Sequence, residues 1–287
     1  MKIAIAGSTG FIGKQLSDYL TKAGNELTAI SRKDFTSTGN QLTKIINSAD
    51  VIINLAGSSV MCRWNDKNKQ QIIASRIDTT RALVDTLLKS EKNNSPKVFI
   101  NASAIGIYGN AGSHDEYSPS LGSDFLAMVC KAWEKETDPL QGTSVRLCKI
   151  RIGMVLGLPG GPLGKMLPLF KMGLGGKLGS GKQPFPFIHI HDLCSAIDHL
   201  IVSEKSSGVY NLVTPDSTDN SLFTKSLSGC LHRPALFVVP EFALKLVYGQ
   251  AADMLTKGAE VKPARLLEEG FQFKFGDIST ALADLVQ

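Results

Sequence analysis

The stretch KIAIAGSTGFIG, residues 2–13, decides the fold. Its apolar first half predicts a short buried strand, and its end opens an amphipathic pattern that predicts a helix. Gly7, Gly10 and Gly13 lie between the two in the spacing G-x-x-G-x-x-G. A tight turn, a close approach of the backbone to a pyrophosphate and close packing of helix on strand each favour a glycine. The stretch therefore predicts a dinucleotide site at a helix N-terminus, although a plain turn would also explain the glycines.

Further strand patterns follow the first one, and helical patterns separate most of them. The strand patterns are ELTAISR (26–32), SADVIINLAG (48–57), PKVFINAS (96–103), SVRLCKIRIG (144–153) and GVYNLVT (208–214). Parallel strands need crossover helices, so this alternation predicts an α/β fold, a Rossmann-like doubly wound parallel sheet with a smaller, mostly helical C-terminal substrate portion. Asp124 and Asp192 each precede a helical pattern, and we expect them to cap those helices.

Glycine and proline concentrate in residues 156–187, which we expect to form a long loop with a short helix. Loops of this length are usually functional, as lids or substrate-binding segments. We predict three parts of the chain. Residues 1–160 form a dinucleotide-binding domain, to which part of 188–215 returns. Residues 161–238 contain the glycine-rich substrate loop with interleaved segments, and residues 239–287 form a helical domain.

Composition excludes several classes of protein. The 287 residues are 43% hydrophobic and 20% charged, which is ordinary for a globular chain, and the net charge of +5 contains no basic block of the kind that nucleic-acid binders carry. Apolar runs are far shorter than the ~18 residues of a membrane span, and the N-terminal one is too short for a signal peptide. The five cysteines form no CxxC pair. We therefore expect a cytoplasmic protein with reduced thiols, no metal, no nucleic-acid or membrane partner, and an anionic small-molecule ligand.

The end of the second strand pattern indicates which dinucleotide binds. A site for NAD has a carboxylate at this point, which accepts hydrogen bonds from the ribose hydroxyls. This chain has Ser31 and Arg32 there, followed by Lys33, and we expect no carboxylate at that point. Arg32 can pair with the 2′-phosphate of NADP(H), although a solvated surface arginine is the alternative.

Several segments together resemble a known group of proteins. They are GSTGFIG (7–13), NLAG (54–57), SAIGIYG (103–109) and FIHIHDL (187–193), which are similar to extended short-chain dehydrogenase/reductases of the NAD-dependent epimerase/dehydratase class. RWND (63–66), ASRIDTT (74–80), LGSGKQPFPFIHIHDL (178–193) and the tail over 240–273 resemble a narrower, atypical group of epimerase-family proteins that end in a small C-terminal domain, DUF1731. The resemblance covers essentially the whole chain.

The resemblance implies NADP(H) as the cofactor and assigns its contacts. The implied cofactor-binding residues are Gly7, Thr9, Gly10, Phe11, Ile12 and Gly13 at the pyrophosphate, Ser31 and Arg32 at the 2′-phosphate, and Leu55, Ala56, Gly57, Arg76, Ala102 and Ser103 along the remainder. For Arg76 the expected contact is a cofactor phosphate or ribose, and the alternative is a surface ion pair with Asp78 or another nearby acid. The parent class often dimerises through two helices across a twofold axis, which implies a homodimer.

The catalytic pattern of the parent class is missing. That class uses Tyr-x-x-x-Lys on a helix, where the tyrosine is the general acid/base and the lysine lowers its pKa and holds the ribose, and it adds a serine on the preceding strand. Leu126 and Cys130 take the tyrosine and lysine positions here, Lys131 is one position off, and Ala104 takes the serine position. The substitute catalytic candidates are Ser103, Tyr108, Cys130 and His189, and Tyr108, Lys165 and Lys182 are the expected substrate contacts.

Three functions are compatible with these residues. The first is an NADP(H)-dependent oxidoreductase or nucleoside-diphosphate-sugar epimerase-like enzyme that acts on an unidentified small molecule. The second is a non-catalytic NADPH sensor or regulatory module, which the missing pattern favours. The third is a sugar-nucleotide binder without redox chemistry.

Overall fold

The computed structural model describes residues 1–36, 40–90 and 97–286. The strands are β1 (Lys2–Ala6), β2 (Glu26–Ile30), β3 (Val51–Asn54), β4 (Val98–Ala104), β5 (Ser113–His114), β6 (Arg146–Ile152), β7 (Met154–Leu156), β8 (Gly176–Leu178), β9 (Phe187–His189), β10 (Gly208–Leu212), β11 (Phe237–Val239) and β12 (Glu260–Val261). The α-helices are α1 (Phe11–Lys22), α2 (Arg32–Thr36), α3 (Gln41–Ser48), α4 (Asp66–Lys89), α5 (Phe125–Lys135), α6 (Gly161–Lys171), α7 (Ile190–Val202), α8 (Asn220–Cys230), α9 (Glu241–Tyr248), α10 (Asp253–Thr256), α11 (Ala264–Glu268) and α12 (Ile278–Val286). Pro96, the expected first residue of the fourth strand pattern, lies outside the described residues.

The main sheet confirms the predicted architecture. Its strands run in the order β10-β6-β4-β3-β1-β2, and every neighbouring pair is parallel. Alternate residues of one strand enter different cores, because Ile3 packs in the cluster that holds Leu16 of α1, and Ala4 packs in the cluster that holds Ile46 of α3. The sheet is therefore covered on both faces, as a doubly wound fold requires.

The glycine-rich segment over 156–187 is more regular than expected, and the prediction of a long loop with a short helix is wrong. It contains an 11-residue helix, α6, and the strand β8, and it is framed by β7 and β9, which pair with each other in parallel. Leu163, Leu167 and Phe170 recur at helical spacing and are buried on one face of α6. This buried face stabilises the helix in spite of the prolines in it.

The C-terminal portion is mostly helical, as expected, but it is built into the body of the molecule. Leu266 and Phe271 belong to the same core cluster as the main sheet, and Ile278 and Leu282 pack with residues of α6 and α8. β10 returns to the edge of the main sheet, as predicted. The domain boundaries at residues 160 and 238 stay predictions.

None of the helices in the described ranges combines the length and apolar character needed to cross a bilayer.

Candidate functional site

The turn between β1 and α1 is shaped for a phosphate. Gly7 has φ +86°, and a Cβ atom on it would lie 2.8 Å from the carbonyl carbon of Leu55. A Cβ atom on Gly13 would lie 2.2 Å from the carbonyl oxygen of Gly7, so only glycine lets the helix approach the strand this closely. Gly10 is the N-cap of α1, makes no side-chain cap, and is followed by no acidic residue in the first turn. The helix N-terminus therefore keeps its N–H groups and positive dipole end for an anion, which fits a dinucleotide pyrophosphate.

Residues 157–161 of the glycine-rich segment pack on the start of α1. A Cβ atom on Gly161 would lie 2.7 Å from the ring of Phe11, and Gln15 Nε2 donates a hydrogen bond of 3.3 Å to the carbonyl oxygen of Leu158. Ile12 packs against the main core, whereas Thr9 is exposed at the turn. Phe11 thus joins the start of α1 to the segment expected to meet a substrate.

The end of β2 differs from expectation in one respect, because a carboxylate is present there. The backbone nitrogen and the hydroxyl of Ser31 both donate hydrogen bonds of 2.6 Å to Asp34 Oδ2. The short helix α2 folds back and brings Asp34 to the strand end, in the manner of a capping box. The spacing Ser-x-x-Asp over residues 31–34 is the sequence pattern from which this contact could have been predicted. Arg32 is exposed and has no ion-pair partner among the residues described, which fits a role at a ligand phosphate.

A buried polar cluster, which the sequence patterns did not predict, positions the backbone at the end of β3. Asn54 Nδ2 donates to Thr80 Oγ1 at 2.9 Å and to Asn101 Oδ1 at 2.8 Å. The backbone nitrogen of Ala56 donates to Asn54 Oδ1 at 3.2 Å. Residues 55–57 are thereby fixed at the carboxyl edge of the sheet. A polar residue inside the apolar run VIIN was the signal that could have revealed this cluster.

Arg76 reaches from α4 to this edge. Its guanidinium Cζ lies 5.1 Å from the ring centre of Trp133 and would lie 3.1 Å from a Cβ atom on Gly57. Its Nη1 donates to the carbonyl oxygen of Ile72 at 3.0 Å. Burial lowers the pKa of Arg76. Within the described ranges no carboxylate lies within 4 Å, so the alternative ion pair with Asp78 does not form.

The positions of the missing tyrosine and lysine hold no group that exchanges protons near neutral pH. Leu126 packs 3.4 Å from the position of a Cβ atom on Gly106. Cys130 is buried, and burial raises the pKa of its thiol to about 11. Lys131 is exposed, as expected from its place one residue farther along the helix.

Ser103 and Tyr108 belong to a buried network around an ion pair. Arg151 Nε and Nη2 donate to the two carboxylate oxygens of Glu134 at 2.8 and 2.9 Å, and Ser103 Oγ donates to Glu134 Oε1 at 2.7 Å. Arg151 Nη1 donates to the Tyr108 hydroxyl at 2.8 Å, and this hydroxyl donates to Asn211 Oδ1 at 2.9 Å. Burial raises the pKa of Tyr108. The Tyr108 hydroxyl is therefore neutral and committed to protein partners, and its roles toward substrate stay predictions. Ala102, the neighbour of Ser103 on β4, is buried in the main core cluster.

His189 is held in a structural role at the start of α7. Its Nδ1 accepts a hydrogen bond of 3.1 Å from the backbone nitrogen of His191, which makes His189 the N-cap, and its ring packs 3.9 Å from the ring centre of Phe275. Its Nε2 lies 3.3 Å from Asp284 Oδ2 without the geometry of a hydrogen bond. Burial lowers the pKa of His189.

The expectation that Asp192 caps α7 is wrong. Its buried carboxylate accepts hydrogen bonds from the backbone nitrogens of Lys274 and Phe275 at 3.1 and 2.8 Å, because the C-terminal segment passes over it. Asp124 does cap α5, since its Oδ1 accepts from the backbone nitrogen of Ala127 at 3.0 Å.

The two lysines expected to meet a substrate are both exposed. Lys165 lies on α6. Lys182 lines a shallow cleft of ≈ 300 Å³, whose wall also carries the acidic residues Asp216, Asp219 and Glu260. Their substrate contacts stay predictions.

The fold agrees with what comparisons with known proteins show. The model of the NAD dependent epimerase/dehydratase family matches residues 3–212, and the domain of unknown function DUF1731 matches residues 239–285. The chain belongs to the NAD-dependent epimerase/dehydratase family. The human epimerase family protein SDR39U1 is 36% identical over 295 residues, which cover 100% of both chains, and the chloroplastic SDR39U1 homolog of Arabidopsis thaliana is 35% identical over 100% of this chain and 87% of its own.

Solved structures of this epimerase/dehydratase family superpose over the whole chain. Human SDR39U1, crystallised with NADPH, has a TM-score of 0.93 at 33% identity, over 100% of this chain and 99% of that one. A nucleoside-diphosphate sugar epimerase from Corynebacterium glutamicum has a TM-score of 0.79 at 30% identity, over 100% of this chain and 58% of that one. These matches confirm that the chain belongs to the atypical group of epimerase-family proteins that end in a small C-terminal domain.

Proposed function

We propose that the protein binds NADP(H) at the carboxyl edge of its main sheet and acts as an oxidoreductase or sugar-nucleotide epimerase-like enzyme on a small molecule. The open N-terminus of α1 above Gly7 and Gly13 is the observation that carries the proposal. Arg32, which is exposed and has no ion-pair partner within the described ranges, supports the 2′-phosphate as the distinguishing group. The bound NADPH of human SDR39U1, a relative of the same length, adds support.

The cofactor would supply a hydride at its nicotinamide ring. The chain's own residues would bind and orient it: the glycine turn and α1 hold the pyrophosphate, Arg32 holds the 2′-phosphate, and residues 55–57 form the floor toward the nicotinamide. Leu126 exchanges no proton, and the raised pKa of Cys130 keeps its thiol neutral. We therefore propose a substrate that accepts hydride without an acid at that position, such as an iminium ion or a carbonyl activated within the substrate itself.

The experiment is a turnover screen, carried out once titration has established that the protein binds the cofactor. Aldehydes, ketones and imines are added separately to protein with NADPH, and nucleotide sugars to protein with NADP+, because epimerisation begins with removal of a hydride from the sugar. The absorbance of the reduced nicotinamide is followed in each mixture, and chromatographic separation of the products detects an epimer, whose mass equals that of its substrate. We expect one class to react with the natural protein and not with the Gly13→Ala variant. A bound cofactor with no reaction across all classes contradicts the enzymatic proposal.

The second candidate is an NADPH sensor, which the apolar Leu126 and neutral Cys130 favour. The two functions differ in access to the nicotinamide. An enzyme must leave one face of the ring open to substrate, so iodide quenches the fluorescence of bound NADPH; a sensor that covers the ring protects it. Strong protection together with an inactive screen favours the sensor.

We also propose a homodimer in the cytoplasm. The large apolar side chains of Ile73, Leu88 and Met128 on α4 and α5 reach solvent and support a helix-mediated twofold contact.

The five cysteines are unpaired, which suits a reducing compartment. Sedimentation of the purified protein tests the dimer, and fractionation of cells tests the location.

A further inference from the structure

We propose that an exposed apolar and basic face, formed by the end of α6, the turn after it, β11 and α9, docks on a lipid bilayer that carries anionic headgroups. Residues 169–174 and 236–247 hold nine of the nineteen large apolar side chains that are exposed in the described ranges. The expectation of no membrane partner rests on the absence of an apolar span, and a protein that lies on a membrane surface needs none. The apolar side chains that the proposal uses are Met172, Leu174, Leu236, Phe237, Phe242 and Leu246.

Two segments that are distant in sequence run side by side in this face. β8 and β11 pair in parallel. Before this pair, Arg233 Nε donates a hydrogen bond of 3.2 Å to the carbonyl oxygen of Lys171 at the end of α6. After it, the backbone nitrogen of Gly179 donates a hydrogen bond of 2.9 Å to the carbonyl oxygen of Val239, just before α9 begins. The exposed side chains of α6, β11 and α9 therefore belong to one surface.

The apolar side chains of this face project into solvent. Leu236 is 86% exposed, and Phe242 and Leu246, one turn apart on α9, are 75% and 76% exposed. Phe237 and Val238 point to opposite sides of β11, and both are exposed. The walls of a groove for a peptide would cover part of such side chains, so the face is convex. A convex apolar surface fits insertion among lipid headgroups better than capture of a peptide helix.

The charges on this face are positive. Residues 152–191 contain no Asp or Glu, and Glu241 is the only carboxylate of β11 and α9. Lys171, Arg233 and Lys245 are exposed and make no ion pair within the described ranges. A second copy docked by the same face across a twofold axis would bring like charges together, which disfavours self-association. Anionic headgroups above acyl chains complement both the cations and the apolar side chains.

The test is flotation of the purified full chain with lipid vesicles. One set of vesicles is phosphatidylcholine alone, and the other has about two parts of phosphatidylcholine to one part of phosphatidylglycerol. We expect the natural chain to float with the mixed vesicles and not with phosphatidylcholine alone. Salt at about 1 M should release most of it, because the Debye length then falls to about 3 Å.

Two double variants separate the apolar and the charged contributions. Phe242→Ser with Leu246→Ser removes two apolar side chains, and Lys171→Gln with Lys245→Gln removes two cations. We expect each double variant to bind the mixed vesicles about tenfold more weakly or worse than the natural chain. The substituted residues are exposed, so the melting temperatures should stay close to that of the natural chain.

Matched controls change exposed residues of other elements. Val202→Ser with Leu267→Ser removes two apolar side chains from α7 and α11, and Lys22→Gln with Lys89→Gln removes two cations from α1 and α4. Both controls should keep vesicle binding within about twofold of the natural chain.

Insertion is measured independently with Phe242→Trp. Its added indole fluorescence should shift to the blue on mixed vesicles and be quenched by brominated acyl chains. Failure of the natural chain to float with either kind of vesicle overturns the proposal, and so does an equal loss of binding in the face variants and their controls. Equal binding to phosphatidylcholine alone overturns the role of anionic headgroups. A dimer that Phe242→Ser with Leu246→Ser dissociates, in a chain that binds no vesicles, shows a second copy on this face instead.

Discussion

At the residue scale, two buried or half-buried arginines of this chain differ in the partners of their guanidinium groups. Arg151 is enclosed by Glu134 and Tyr108, and every polar atom of that network has a partner. Burial alone would lower the pKa of Arg151, but the hydrogen bonds and charge of Glu134 raise it. The guanidinium of Arg76 donates one hydrogen bond, to the carbonyl oxygen of Ile72, and lies over the ring of Trp133. The Arg151 guanidinium thus has a counter-charge, whereas the Arg76 guanidinium has none among the described residues.

The Glu134 substitution tests the closed network. Glu134→Gln leaves the guanidinium of Arg151 buried without a counter-charge, so we expect the free energy of unfolding to fall by about 3 kcal/mol or more in urea denaturation. A second change, Arg151→Met, removes the uncompensated charge and should restore part of the loss. Arg81→Gln, which breaks the exposed pair with Glu136, is the control and should change little. A Glu134→Gln protein as stable as the natural one would show that the pair contributes nothing.

Thiol reactivity gives a second prediction. Burial raises the pKa to about 11 for Cys130 and Cys148 and to about 12 for Cys194. The thiolate is the reactive form, so iodoacetamide near pH 8 should modify the half-buried Cys62 and Cys230 first, and the other three only on unfolding. Between about pH 9 and pH 11 the unfolded chain loses these thiol protons first, so stability should fall as the pH rises. Early labelling of Cys130, read by peptide mass spectrometry, contradicts this account and reopens Cys130 as a catalytic group.

At the element scale, the glycine turn is held by backbone contacts that no other residue permits. A Cβ atom on Gly13 would overlap the backbone of Gly7 and Ser8, whereas one on Gly229 in α8 would meet nothing within 4 Å. We expect Gly13→Ala to displace α1 from β1 and abolish NADPH binding. Gly229→Ala should leave binding intact and stabilise α8 by up to about 1 kcal/mol. Calorimetry and thermal melting of both variants check this, and NADPH binding by Gly13→Ala would exclude the turn as the pyrophosphate site.

Elements with strong local signals could be predicted from the sequence. The strands of the main sheet are apolar runs beside helical patterns, and the glycine spacing predicts a dinucleotide turn because a strand pattern precedes it and a helical pattern follows it. The strands β5, β7, β8, β11 and β12 have two or three residues each, and their existence depends on a partner that is distant in sequence. The stacking of Arg76 on Trp133 and the replacement of Asp192 by His189 as a cap depend on tertiary packing in the same way.

At the scale of the whole molecule, the C-terminal portion and the main sheet share one core. Leu266 in α11 is fully buried in the cluster that includes the strands of the sheet, and its neighbour Leu267 is 48% exposed. We expect Leu266→Ala to cost about 2–5 kcal/mol and Leu267→Ala less than about 0.5 kcal/mol. Denaturation followed by several probes should show one cooperative transition for both variants. Two separate transitions, with the sheet unaffected by Leu266→Ala, would mean that residues 239–287 fold independently.

The central claim is that the carboxyl edge of the main sheet binds NADPH, and that Arg32 selects NADPH over NADH by contacting the 2′-phosphate. The most direct measurement is a calorimetric titration of the cofactor-stripped protein with NADPH and with NADH, repeated on Arg32→Ala and on Lys22→Ala, an exposed cation at the far end of α1. We predict tight binding of NADPH, weaker binding of NADH, and loss of roughly tenfold or more of that preference in Arg32→Ala alone. Equal affinities for the two dinucleotides that Arg32→Ala does not change, or no binding of either, would contradict the account.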